Sequence, residues 1–282
     1  LADGSSADAD LQRRVAEHAR RIAWVGLRPA VKPALVAGYL RATERALALT
    51  PPGPARDDLA LLRCEHLARA RRTDEALAAA DALLARTDLP PERRAQAHLW
   101  RASALGMTTP AALEDLDAAL VHDPHLARAR FERARARRAA GDDRGTLDDA
   151  LAFLEAVDGR LELLRVLYPH ATAWAWTAAW RTSQVARVRP GLEAHVAAFA
   201  QAAHAGWRVR LAYAQATAGD VEAARETLAL ALPLLERQAA LAEVAPDVAR
   251  ALAGRADREA LRRALRPVVA ALDRRRGRGT LP

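Results

Sequence analysis

The sequence predicts an all-α protein, an α-solenoid built from antiparallel helix hairpins. Three observations carry that expectation. Ala, Leu, Arg and Glu dominate a chain of 282 residues in which aromatics make up only 4%, so strong helix formers abound while the residues that favour sheets are sparse. Apolar positions recur at helical spacing between Pro and Gly breaks. Most tellingly, residues 127–154, ARARFERARARRAAGDDRGTLDDALAFL, spell a helix, a Gly-Asp turn and a second helix, and this pattern returns upstream and downstream.

Residues 1–10, LADGSSADAD, are small and polar and read as a flexible lead-in, because they bury too little surface to order themselves. The helical-repeat body is expected over 11–273, with its clearest repeats at 58–157 and 205–272. Its first helix spans roughly 11–25. A second, roughly 34–49, is stopped by Pro51, Pro52, Gly53 and Pro54. Further on, Pro169 is expected to divide 161–168 from a Trp-rich helix at 171–185. Pro190 and Gly191 open a helix at 192–203, Pro246 begins a segment ending at Gly254, and Pro267 should kink or split a last helix at 257–272. Residues 274–282 read as a frayed basic tail.

Within the body, three pairs align: Arg63 with Cys64, Arg101 with Ala102, and Arg133 with Ala134. The repeats then start near Asp58, Ala95 and Ala127, together spanning about two periods of ~34 residues. Thr73, Thr109 with Pro110, and Thr146 open the partner helices, since threonine caps and proline suits the first helical position.

On these residues the chain resembles the tetratricopeptide repeat family. Ala127, Ala129, Phe131, Arg133, Ala134, Ala136, Gly141 and Asp142 follow the family's first-helix and turn order. Trp207, Leu211, Ala212, Gly219, Asp220, Glu222, Ala223 and Ala224 repeat it. Arg130 and Arg137 depart from it, standing where the family usually places large apolar side chains. Two readings follow: either their aliphatic stems cover the neighbouring helix, or these repeats pack loosely. The stretch from Trp207 to Val268 also looks like the helical-repeat part of large bacterial multidomain signalling proteins. The resemblance implies a non-enzymatic scaffold or sensor module that binds a protein or peptide.

Charge narrows the partner classes. The formal net charge is +8, and the tail arginines Arg274, Arg275, Arg276 and Arg278 account for half of it, leaving a modest +4 for the body, where a nucleic-acid binder more often shows a basic stripe along one face with stacking aromatics. A nucleic-acid-binding or small-ligand-sensing repeat is the alternative reading. No run approaches the ~20 apolar residues that span a bilayer. The single cysteine excludes an internal disulfide framework, and with no secretory leader at Leu1 the sequence suggests a cytoplasmic protein. A start without Met suggests a processed chain or part of a longer one.

Candidate chemistry is thin. Cys64 and His66 lie two apart on a helix and point away from each other. In register, Cys64 matches Ala102 and Ala134, a small residue at a close helix approach. His122 and His125 flank Asp123 and Pro124 at an inter-repeat turn, with no further ligand at metal spacing. No catalytic residue, metal site or cofactor is predicted. Trp176 and Trp180 lie one turn apart and read either as a ligand or peptide anchor or as core filling. Arg128, Phe131, Arg135 and Arg138 share one side of a first helix. By the resemblance, first helices line the concave groove, where guanidinium forks suit an acidic or carboxylate-ending peptide. The competing reading is a solvated basic face neutralised by nearby aspartates.

Overall fold

In a computed structural model of the chain, the described residues are Arg14, 32–157, 167–199, 205–238, 241–254 and 257–278. The expected lead-in, most of the first expected helix and the last four residues of the tail lie outside them. Among the described residues, thirteen α-helices and two 3-10 turns are laid out along the chain, with no strand. The chain divides into two compact units, Leu1–Gly141 and Asp142–Pro282. The stretch 127–154 therefore contributes its first helix to one unit and its second to the other.

The first unit holds α1 (Lys32–Leu49), α2 (Pro54–Arg69), α3 (Thr73–Leu84), α4 (Pro91–Leu105), α5 (Pro110–His122) and α6 (Ala127–Ala139). Each helix packs on its successor along α1 to α6, and α2 also packs on α4, two helices on. Small side chains permit this approach: Cys64, Ala102 and Ala134, the three aligned residues, are all at most 1% exposed. Around them, Leu61, Leu83, Leu89 and Trp100 form one core cluster with Cys64, while Leu99, Leu116 and Leu120 centre another. Burial pushes the Cys64 thiol up to about 12, against the opposing charge of Arg63. The cysteine is packing material, since the reactive species is the thiolate.

The second unit holds α7 (Asp143–Ala156), α8 (Leu167–Arg181), α9 (Arg189–Ala198), α10 (Ala205–Ala218), α11 (Val221–Arg237), α12 (Ala245–Ala253) and α13 (Arg258–Arg278). Here α10 is the hub, packing on α9, α11 and α13. Its Val209, Ala212, Ala214 and Ala216 are fully buried. A 3-10 turn, Val185–Val188, packs on both α8 and α10.

Turn chemistry explains the hairpins. Gly141 follows α6 with φ 80° and Gly219 follows α10 with φ 98°, the left-handed conformation that glycine adopts without steric cost. Asp142 and Asp220 come next and cap the following helices, accepting from the backbone N–H of Gly145 at 2.9 Å and Ala223 at 3.2 Å. After α2 the same place is taken by Arg71, at φ 57°. The amide of Arg72 bonds Leu67 O at 3.1 Å, and that of Asp220 bonds Gln215 O at 2.9 Å, so both turns close the same way.

Several boundaries differ from expectation. Thr109 caps α5 as foreseen, accepting from Ala112 N at 3.2 Å. Thr146 does not open its helix: Asp142 does, and the Thr146 hydroxyl donates back to Asp142 O at 2.6 Å. Thr73 is the first residue of α3 and makes no capping bond. Pro169 lies in the first turn of α8, where its missing N–H costs nothing, so it does not divide that helix. Pro267 lies inside α13, which continues unbroken to Arg278. For Arg130 and Arg137 the structure shows where the charged ends go. Arg130 is half-buried and donates to Pro124 O at 2.6 and 3.0 Å, and Arg137 reaches Asp117 at 3.8 Å.

Candidate functional site

The first helices of the first unit carry a layered arrangement of charge. Glu65 on α2 and Glu132 on α6 are almost fully buried, at 2% and 0% exposure. Above them lie guanidiniums that keep one side open. Arg69 meets Glu65 at 2.6 Å, one helical turn on. Arg128 and Arg135 converge on Glu132 from opposite sides, at 2.5 and 2.7 Å. Aromatic faces brace the same guanidiniums, Arg69 over Trp100 of α4 at 6.0 Å and Arg128 over Phe131 at 5.9 Å.

These groups form one electrostatic unit across α2, α4 and α6. Burial lowers the Arg128 pKa from its ordinary value, opposed by Glu132 and reinforced by the charges of Arg69 and Arg135. Three arginines over two glutamates leave one positive charge in excess. The side chains of Arg128 and Arg135 are 28% and 39% exposed, while Nε and Nη1 of Arg128 and Nε of Arg135 are buried, so only part of each guanidinium faces outward.

The expected groove residues thus fall into different roles. Arg128 and Arg135 belong to the rim. Phe131 is 4% exposed and lies in the interior beneath Arg128, so it is a support and not a contact surface. Arg138, at the end of α6, is exposed. Sequence reading missed Glu65, Arg69, Trp100 and Glu132. The signals were present: Glu65 with Arg69 and Arg128 with Glu132 are opposite charges four residues apart, and Trp100 and Glu132 share a position in the alignment of Arg101 with Arg133.

Beside the rim lies a second polar cluster with a structural role. Asp115 of α5, 4% exposed, accepts from Arg101 at 2.7 and 2.9 Å and meets His98 Nδ1 at 2.8 Å. Burial raises the Asp115 pKa, but the hydrogen bonds of His98 and Arg101 outweigh it and hold the carboxyl below its ordinary value. Arg101 also reaches Asp81 of α3 at 2.8 Å, tying three helices together. His122 stacks on His98 with ring centroids 5.6 Å apart, and its pKa is lowered by burial and then by the charges of His98 and Arg94. His125 is exposed, its amide donating to Asp123 at 2.9 Å. Among the described residues no group of three or more His, Cys, Asp or Glu could hold a metal.

In the second unit the tryptophan pair separates. Trp176 is 1% exposed and its indole N–H donates to Asp273 at 3.1 Å, which makes it core. Trp180 is half-buried and lines a cleft with Tyr213 and α13. No helix among the described residues is long and apolar enough to cross a membrane. Compared with models of known protein families and with curated proteins, the chain matches none of them.

Proposed function

We propose that the chain is a non-enzymatic helical-repeat module that binds a protein or peptide through an acidic segment. In this reading the hairpins of each unit stack in the tetratricopeptide manner, and the module is the scaffold or sensor part of a bacterial signalling or regulatory protein. One observation supports it above the rest: Arg69, Arg128 and Arg135, all on first helices, are held open-side-up over the buried Glu65 and Glu132. A merely solvated basic face has no need of buried carboxylates beneath it, because surface arginines find water and counterions unaided.

The test is fluorescence anisotropy with a labelled peptide of alternating Glu and Gly ending in a free carboxylate, beside its Lys counterpart with an amidated end. Saturable binding of the acidic peptide alone is the expected result. Equal binding of both peptides, or none of either, contradicts the proposal. Steeply salt-dependent binding of RNA or DNA in place of the peptide supports the nucleic-acid alternative.

A further inference from the structure

The cleft beside Trp180 lies wholly within the second unit and has a volume of about 570 Å³, inside the ~300–1,000 Å³ range of small-molecule sites. Its two ends differ in chemistry. At one end Trp180 and Tyr213 meet with ring centroids 5.3 Å apart at an interplanar angle of 52°, and Trp176 backs Trp180 at 5.8 Å. At the other, α13 lays Arg262, Arg263 and Arg266 along the wall with Glu259 and Pro267.

The arginines are not equivalent. Arg262 is engaged by Glu259 at 2.8 Å. Arg263 and Arg266 are exposed and make no ion pair with any described residue. They lie three residues apart, close to one turn, so their guanidiniums line the same side of the helix. Tethered to α13 beside an aromatic floor, they share the wall with Glu259, whose carboxylate is engaged by Arg262. Pro267 adds a further polar group: having no N–H, it leaves the Arg263 carbonyl without its helical donor.

We propose that this cleft binds a free nucleoside phosphate. The flat base lies against the half-buried Trp180, with the buried Tyr213 tilted behind it, since every base has a π-face to offer. The phosphate oxygens take bidentate hydrogen bonds from Arg263 and Arg266. The Glu259 carboxylate and the Arg263 carbonyl accept from hydroxyl or amino groups between them. A lone inorganic anion leaves the aromatic end unused, and an uncharged nucleoside leaves the two arginines unused.

The experiment is isothermal titration of the full chain with ADP, flanked by adenosine, inorganic phosphate and a short oligothymidylate. Saturable ADP binding is expected, with adenosine and phosphate each at least tenfold weaker. Arg263→Glu and Arg266→Glu each weaken ADP about tenfold or more, the scale of one lost charged hydrogen bond. Arg250→Glu, on a 78% exposed arginine of α12, leaves binding unchanged. Trp180→Phe, which keeps a ring, weakens it less than Trp180→Ala, and helical circular dichroism checks the fold of every variant. Absent ADP binding, adenosine binding as tightly as ADP, wild-type affinity in both arginine variants, or tighter binding of the oligonucleotide than of ADP each overturns the proposal. The last outcome assigns the cleft to a nucleic-acid strand.

Discussion

Arg210 and Asp273 lock α10 to α13. The guanidinium donates through Nη2 at 2.6 Å and Nε at 3.0 Å to one carboxylate oxygen, and the other oxygen accepts from the Trp176 indole at 3.1 Å. Arg210 is 5% exposed and also lies over the rings of Trp207 and Trp176, at 4.9 and 5.9 Å. A charge so enclosed depends on its counter-charge. Asp273→Ala strands it and is expected to cost about 3 kcal/mol in urea denaturation, with a shift in tryptophan emission. Asp273→Asn keeps one carbonyl oxygen for the Arg210 guanidinium but sets an amide NH2 against the Trp176 indole N–H, so it costs less than alanine while losing that second bond.

Arg71 holds the left-handed conformation that Gly141 and Gly219 hold after the other matched helices. A side chain there costs about 1–2 kcal/mol, partly offset because glycine loosens the unfolded chain by ~0.4–1 kcal/mol. Arg71→Gly is therefore expected to stabilise by roughly 0.5–1 kcal/mol, read as a raised denaturation midpoint. Gly219→Ala, with open space around the added methyl, should destabilise by a similar amount through backbone strain alone.

Asp115 gives stability a defined pH dependence. His98 and Arg101 hold its carboxyl below the ordinary carboxylate value despite the opposing effect of burial. On acidification the unfolded chain takes up the proton first, near the ordinary value of about 4. Its contribution is thus complete above that value and is lost as pH falls toward the lower folded pKa. Urea titrations between about pH 6 and 2.5 should show a shallower loss for Asp115→Asn than for wild type.

Much of the fold was legible because its signals are local. Helix breaks at Pro51 and Gly53, the capping of α5 by Thr109 and the Gly-Asp turns each follow from two or three adjacent residues. The alignment of Cys64 with Ala102 and Ala134 also found a close helix approach. Less legible were features decided by packing between distant segments. Around Glu132 the sequence shows the Arg128 spacing and the register with Trp100, which suggest a pair but do not fix how deeply the carboxylate is buried. Phe131 read as part of a groove surface, and Trp176 as either an anchor or core, until their burial was known. The cleft joins Trp180 to Arg263 and Arg266, more than eighty residues away, so only their second element, the close arginine run, was visible in the chain. The division at Gly141 and Asp142 falls inside the most regular hairpin, where the local pattern gives no sign of it.

The binding role of the first-unit rim is tested most directly by removing its charge without disturbing its shape. Arg69→Gln with Arg135→Gln keeps long polar side chains over Glu65 and Glu132 and leaves Arg128 paired to Glu132. Measured by anisotropy against the carboxylate-ended acidic peptide, the double variant should bind at least tenfold more weakly than wild type while keeping its helical circular dichroism. Wild-type affinity in a folded double variant would contradict the account.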